Sequence, residues 1–230
     1  EFDEDTFVKT IKDAGFKKLI VTAKHHDGFC IWASEHTEYD VSKTSYKSGN
    51  GDILEELSAA CTKYDIDMGL YLSPWDIHDD SYGYYDKDGN PTTKDKDVLD
   101  YNDYYNNQLE EILGNPIYGN DGHFKEVWMD GAKGSGANAQ DYDFERWFAT
   151  IQKHEGKEAG FESDCMLFGA EAYTTVRWIG NERGYAAEET WAKSTIDREN
   201  NTINSNSRDG YTKGFPNGNQ WTVPEADTKI

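Results

Sequence analysis

The stretch Lys125-Glu126-Val127-Trp128-Met129-Asp130-Gly131-Ala132-Lys133 sets the organisation of this 230-residue chain. Its apolar centre predicts a buried β-strand that delivers Asp130 directly into a glycine-rich loop. In folds built on parallel strands, the functional site lies where the carboxyl ends of the strands open into loops. Asp130 is therefore a candidate catalytic carboxylate, although an Asp before a Gly is also an ordinary turn composition.

The rest of the chain alternates helical and strand patterns, which is typical of a parallel sheet covered by helices. Further strands are predicted over residues 18–23, 68–72, 165–168 and 175–179. Helices are predicted where apolar residues recur at helical spacing, over residues 5–14, 52–63, 98–113 and 142–154. Beyond Thr190 the pattern dissolves and predicts no element. The expected fold class is α/β.

Two more predicted strands end in side chains suited to a ligand. Residues 24–29 read Lys-His-His-Asp-Gly-Phe, and both His25 and His26 can serve a ligand only if the backbone turns at Asp27-Gly28. Residues 71–76 read Tyr-Leu-Ser-Pro-Trp-Asp, in which Tyr71 is either a site residue or a core residue. A metal site would need further ligands at matching positions, so recognition of sugar hydroxyls fits these side chains better.

Composition narrows the classes of partner. With 23 basic and 44 acidic residues the net charge is -21, which would repel nucleic acid and anionic membrane surfaces. The 15 Tyr, 7 Trp and 6 His suit a neutral, hydroxyl-rich ligand, although parallel-sheet proteins also pack with many aromatics. No apolar stretch is long enough to cross a membrane.

Metal and cofactor motifs are not recognised in the sequence. The three cysteines lack zinc-type spacing and are predicted to be buried small residues. Residues 86–91 resemble the start of a calcium loop, but Pro91 stands where that loop needs glycine, so a solvent-exposed turn is predicted. We therefore expect no metal and no cofactor.

Taken in order, these motifs resemble glycoside hydrolase family 29, the α-L-fucosidases. The matching segments are residues 14–15, 24–32, 69–76, 101–105, 108–109, 126–132 and 177–182, and the run at 24–29 is the most specific. The resemblance, which covers about residues 5 to 192, implies a (β/α) TIM-type barrel and a retaining exo-glycosidase that removes terminal α-L-fucose. Its Ser-Pro-Trp-Asp and Gly-Asn-Glu elements are similar to the subgroup acting on α-1,3 and α-1,4 linkages, so the expected substrate is a fucosylated oligosaccharide or glycoconjugate.

The resemblance also assigns roles to individual residues. It implies that Asp130 is the nucleophile and Glu182 the general acid/base. The residues that it places around fucose are His25, His26, Tyr71 and Trp128, with Trp32 and Trp75 as candidates for the rim. The nearby Glu171, Glu188 and Glu189 remain alternatives to Glu182, because the loop after Glu155 is longer than the family usually has.

Two family segments are not recognised in residues 1–230. They are a first strand carrying a Phe-Ile-His-Trp-Gly-like run and a C-terminal β-sandwich. We therefore expect one partial catalytic barrel domain that is poorly stable and inactive when made alone. A fucose-binding module without turnover and a metal-dependent hydrolase remain alternatives. The sequence does not predict the oligomeric state, and an extracellular or periplasmic location is favoured over a cytoplasmic one.

Overall fold

The computed structural model describes residues 2–86, 88–92, 100–130, 132, 139–159, 164–166, 175–180, 184–197, 199–200, 202–203 and 208–226. The chain divides into two compact units, Glu1–Ser163 and Asp164–Ile230. The expectation of a single barrel domain stays a prediction.

The first unit alternates strands and helices. Its strands are β1 (Lys18–Lys24), β2 (Asp67–Leu72) and β3 (Glu126–Trp128). Its helices are α1 (Glu4–Asp13), α2 (Ile53–Lys63), α3 (Tyr101–Leu113) and α4 (Phe144–Glu155), with short 3-10 helices at Val41–Lys43, Tyr46–Gly49 and Lys157–Ala159. The strands pair in parallel in chain order, so the predicted α/β alternation is confirmed here. The closed barrel is not seen among the described residues and stays a prediction.

Each of these four α-helices begins at an aspartate. The side chains accept a backbone N–H from the first turn in all four cases, at Asp3, Asp52, Asp100 and Asp143. A carboxylate there satisfies an otherwise unpaired donor and also suits the positive end of the helix dipole. The caps place the start of α3 at Tyr101 and of α4 at Phe144, later than predicted; residues 98 and 99 lie outside the described residues.

In the sheet formed by β1, β2 and β3, one row of side chains is buried and the row on the opposite face contains predicted site residues. Val21, Leu70 and Val127 pair at one level across the three strands and are at most 5% exposed. Thr22, Tyr71 and Trp128 pair at one level across the three strands and share the opposite face, because side chains alternate along a strand. Tyr71 and Trp128 are only partly buried there. This face leads to the loops that follow the three strands.

The second unit is built from short pieces. It contains β4 (Asp164–Met166), β5 (Val176–Trp178), β6 (Lys193–Ser194), β7 (Ile196–Asp197), β8 (Thr202–Ile203), α5 (Arg208–Lys213), β9 (Gln220–Trp221) and β10 (Val223–Glu225). Strand β10 pairs in parallel with β5, while β6 with β9 and β7 with β8 are antiparallel. Two-residue strands carry too few side chains to show a period, which is why no element was predicted beyond Thr190.

Two cysteines behave as predicted. Cys30 and Cys61 are both fully buried. Burial raises the pKa of the Cys30 thiol to about 12 and that of Cys61 to about 11, so both stay as thiols. The side chain of Cys165 lies outside the described residues.

Candidate active site

Asp130 lies two residues beyond β3 and adopts a left-handed backbone conformation, with φ of 38°. One carboxylate oxygen, Oδ1, accepts the Ala132 N–H at 3.2 Å and so forms the turn that its sequence context predicts. The other, Oδ2, accepts the Tyr71 hydroxyl at 2.8 Å. The side chain keeps 24% of its surface exposed. Asp130 therefore closes the predicted turn with Oδ1, while its Oδ2 bonds to a predicted site residue, Tyr71.

Three aromatic rings form a row beside this carboxylate. The Tyr71 ring stacks on Trp128 on one side, with centroids 5.3 Å apart, and on His25 on the other, at 5.6 Å and nearly parallel. Burial, reinforced by the charge of Asp130, raises the pKa of Tyr71 well above its ordinary value. Tyr71 therefore remains a hydrogen-bond donor to the carboxylate at any working pH.

His26 also lies close to Asp130. Its Nε2 is 3.9 Å from Asp130 Oδ2, its Nδ1 is 2.6 Å from Ser73 Oγ, and its ring meets Trp75 at 4.8 Å between centroids. Burial and the neighbouring His25 lower the pKa of His26 by more than Asp130 and Asp27 raise it. His26 is therefore neutral near pH 7.

A turn after β1 brings both histidines to one side. Gly28 N–H bonds back to the His25 carbonyl at 3.0 Å, and the two imidazole centroids are 4.1 Å apart. Gly28 has φ of 79°, and a Cβ there would lie 2.4 Å from Asp76 Oδ1. Only glycine fits this close approach, so the backbone turn predicted at Asp27-Gly28 is present.

A buried charge pair stands behind the loops that carry these side chains. Between Thr22 and Lys24 the register of β1 against β2 shifts, and such a shift exchanges the two faces of a strand. The Lys24 ammonium is fully buried, 3.2 Å from Asp76 Oδ2 and 2.8 Å from Gln108 Oε1 of α3. It also lies over the rings of three tyrosines of α3, Tyr101, Tyr104 and Tyr105.

Lys24 and Asp76 therefore tie together the loops after β1 and β2. Backbone hydrogen bonds add to this connection, from Ser73 N to Lys24 O and from Ile77 N to His26 O, both 2.9 Å. The Tyr101 hydroxyl donates to the Pro74 carbonyl at 2.6 Å. The loops that present the histidines and Trp75 are thus anchored to α3.

The structure brings six of the eight predicted site residues together or into one row. These are His25, His26, Tyr71, Trp75, Trp128 and Asp130. Trp32 lies elsewhere: it is fully buried and its Nε1 donates to Glu111 of α3 at 2.8 Å. A buried indole has no face to offer a sugar, which argues against the predicted rim role. Glu182 lies outside the described residues.

Sequence reasoning missed the residues that hold this site. Lys24 and Ser73 belong to the motifs at residues 24–29 and 71–76, but neither was predicted to be a site residue. Lysine beside two histidines indicated a polar loop rather than a buried ammonium, because the register shift cannot be read from the sequence. The signal for Ser73 was its place two residues after Tyr71, which puts both side chains on one face of an extended chain.

The described residues contain no group of three or more His, Cys, Asp or Glu side chains arranged to hold a metal ion. His25, His26 and Asp130, the residues of the metal-dependent alternative, do not form such a group in the described part of the chain. None of the described helices is long and apolar enough to cross a membrane.

The candidate site thus combines a carboxylate that accepts two hydrogen bonds, a stacked aromatic row and two imidazoles. The model of the Alpha-L-fucosidase family matches residues 1–211. The chain is 38% identical to Alpha-L-fucosidase 1 of Arabidopsis thaliana over 97% of its own length and 39% of that protein. It therefore belongs to the α-L-fucosidase family, glycoside hydrolase family 29.

Solved structures show the same relationship. A glycoside hydrolase family 29 fucosidase of Ruminococcus gnavus in complex with fucose is 72% identical, with a TM-score of 0.88 over all of this chain and 46% of that one. A glycoside hydrolase 29 family member from an unknown rumen bacterium is 30% identical, with a TM-score of 0.78 over 99% of this chain and 38% of that one. The chain spans less than half the length of each of these relatives.

Proposed function

We propose that the protein hydrolyses terminal α-L-fucose from oligosaccharides or glycoconjugates as a retaining exo-glycosidase. The observation that carries the proposal is the Asp130 carboxylate, held by Tyr71 beside a stacked aromatic row in a member of the α-L-fucosidase family. The fucose complex of the Ruminococcus gnavus relative supports fucose as the sugar. The substrate is neutral, in keeping with the strongly acidic chain.

Asp130 is the proposed nucleophile. In a retaining mechanism one carboxylate attacks the anomeric carbon and a second carboxylic acid protonates the departing oxygen, after which water hydrolyses the covalent intermediate. The geometry of Asp130 supports the first role, because both its oxygens accept hydrogen bonds and about a quarter of its side-chain surface stays exposed. Trp128, half-buried at one end of the row, offers apolar contact to the sugar.

Glu182 is the proposed general acid/base, an assignment that rests on the family resemblance. A carboxylic acid that is protonated near neutral pH needs burial or a neighbouring carboxylate. Glu188 and Glu189 are both exposed to solvent, which disfavours them for this task. Glu171, like Glu182, lies outside the described residues and stays the main alternative.

Two finer assignments belong to the same proposal. We infer a (β/α) barrel from three parallel strands that neighbour one another in chain order, with helices between them. We infer preference for α-1,3 and α-1,4 linkages from the Ser-Pro-Trp-Asp and Gly-Asn-Glu elements. The contact of Trp75, in the first of these elements, with His26 supports this proposal.

The proposed activity is tested by assaying the full-length protein on 4-nitrophenyl α-L-fucoside beside a Lewis-type branched trisaccharide. We expect fucose release from both, with the α anomer formed first in the NMR spectrum. Tight fucose binding without release would instead support a binding module, and first-formed β-fucose would contradict the retaining mechanism.

The assignment of Glu182 is tested through its dependence on the leaving group. Glu182→Ala should lower turnover of the trisaccharide by about a hundredfold or more, since proton transfer contributes 10²–10⁴-fold, while an activated aryl fucoside loses much less. Glu188→Ala is the matched control and should behave like wild type on both substrates. Leaving-group dependence in Glu171→Ala but not in Glu182→Ala would transfer the role to Glu171.

A further inference from the structure

We propose that Ser73 is a positioning residue that holds His26 in the tautomer protonated at Nδ1, leaving Nε2 as an acceptor aimed into the site beside Asp130. The tautomer can be established without turnover. Its consequence for catalysis rests on the proposed function.

The hydrogen bonds of Ser73 determine which atom carries the proton between Ser73 and His26. Its hydroxyl is fully buried and lies 2.8 Å from the Trp75 carbonyl oxygen, which can only accept. A serine hydroxyl has one proton, and this contact uses it. The contact at 2.6 Å between Ser73 Oγ and His26 Nδ1 must then be donated by the imidazole, so the Nδ1 proton is on His26.

The surroundings of His26 keep its imidazole neutral. Among the described residues, the titratable groups that act on its ring are His25 and Asp27 of the same loop, Asp130 after β3, and Tyr71 of β2 through its bond to Asp130. Burial and His25 outweigh the two carboxylates and lower the pKa of His26, so the ring carries one proton. With that proton on Nδ1, Nε2 presents a lone pair.

The position of His26 Nε2 determines which group it can bond to. It lies 3.9 Å from Asp130 Oδ2, which is too long for a hydrogen bond. The imidazole therefore does not donate to the carboxylate and leaves its oxygen available for attack. Nε2 can instead accept from a hydroxyl of the bound sugar, which fixes that hydroxyl next to the reacting carboxylate. A ring protonated at Nε2 would offer a donor to Asp130 and reject the same hydroxyl proton.

The test reads the tautomer directly by ¹⁵N NMR of histidine-labelled protein, with the His26 signals assigned by their loss in His26→Gln. We expect a protonated Nδ1 and an unprotonated Nε2 in wild type. Ser73→Ala removes the acceptor and should shift His26 towards the Nε2-protonated form. Ser73→Thr retains a hydroxyl and should restore the wild-type pattern. Ser58→Ala removes another buried serine hydroxyl, one that donates to the Leu54 carbonyl of α2, and should leave the His26 signals unchanged.

The steady-state kinetics of Ser73→Ala provide a second test. Losing one hydrogen bond to the sugar should lower kcat/KM of Ser73→Ala by about tenfold, expressed mainly in KM. A protonated Nε2 in the wild type, or unchanged His26 signals in Ser73→Ala, would overturn the proposal. If the tautomer is as expected and no fucoside is cleaved, the proposed function fails while the role of Ser73 stands.

Discussion

At the scale of single residues, the candidate site depends on the groups that surround the Asp130 carboxylate. Tyr71 donates to Oδ2 and the backbone of Ala132 donates to Oδ1, so the carboxylate has one orientation. His26 approaches Oδ2 without bonding to it. A nucleophile needs both fixed position and an accessible oxygen, and this arrangement supplies both.

Tyr71→Phe tests the orientation of Asp130. Hydrogen bonds to charged groups contribute about 1.5–3 kcal/mol, so kcat/KM on an aryl fucoside should fall by about 10- to 100-fold, with the loss mainly in kcat. Tyr64→Phe is the matched control, because Tyr64 makes the same kind of hydroxyl–carboxylate bond to Asp5, exposed on the surface. Equal activity of the two variants would show that the Tyr71 hydroxyl does not orient the reacting carboxylate.

Local sequence patterns account for those parts of the candidate site whose placement depends on residue type and spacing. The placement of Asp130 followed from an apolar strand running into glycine, and the meeting of His25 with His26 followed from the Asp27-Gly28 turn. Trp32 shows the limit, because a tryptophan suits both a sugar platform and a core, and its bond to Glu111 depends on helix packing that no local pattern encodes. The role of Ser73 was missed for a similar reason, since serine carries no chemical signature without its partners.

At the scale of elements, the Lys24–Asp76 pair connects β1, the loop after β2 and helix α3. Removing one partner of a buried ion pair leaves an uncompensated charge and costs about 3–5 kcal/mol. Lys24→Met should therefore lower the free energy of unfolding by about that amount in urea titrations. It should also weaken activity, because the loops that carry His26 and Trp75 lose an anchor.

The double variant Lys24→Met/Asp76→Asn controls this prediction. The second substitution removes the charge that Lys24→Met leaves unpaired, while the amide oxygen can still accept the backbone N–H groups of His78 and Asp79. The double variant should therefore be more stable than Lys24→Met alone. Lys9→Met breaks an exposed pair with Asp13 and should unfold like wild type. A Lys24→Met protein as stable as wild type would contradict the anchoring role.

Element boundaries were predicted where a cap or a long period marks them. The predicted range 52–63 agrees with α2 and its Asp52 cap, whereas the later starts of α3 and α4 depend on which of several aspartates faces the first turn. The pairing of β5 with β10 joins segments far apart in the chain. A contact of that kind is decided by tertiary packing, so local periodicity could not reveal it.

At the scale of the whole molecule, the net charge of -21 acts on substrates before they reach the site. Neutral fucosides should be cleaved with the same kcat/KM at low and physiological ionic strength. An aryl fucoside with a carboxylate on its leaving group should be cleaved several-fold faster at physiological ionic strength, where the screening length falls to about 8 Å. The neutral aryl fucoside is the control, and a salt dependence shared by both substrates would contradict repulsion by the chain.

The identity of the nucleophile is the central claim, and Asp130→Gly with added azide tests it most directly. Turnover of an aryl fucoside should fall by about a thousandfold or more, as losses of catalytic nucleophiles do. Azide should then restore part of it by attacking in place of the carboxylate, giving a fucosyl azide of inverted configuration. Asp121→Gly is the matched control, because Asp121 is also an aspartate with positive φ and is exposed. Near wild-type activity in Asp130→Gly, or equal losses in the two variants, would contradict the account.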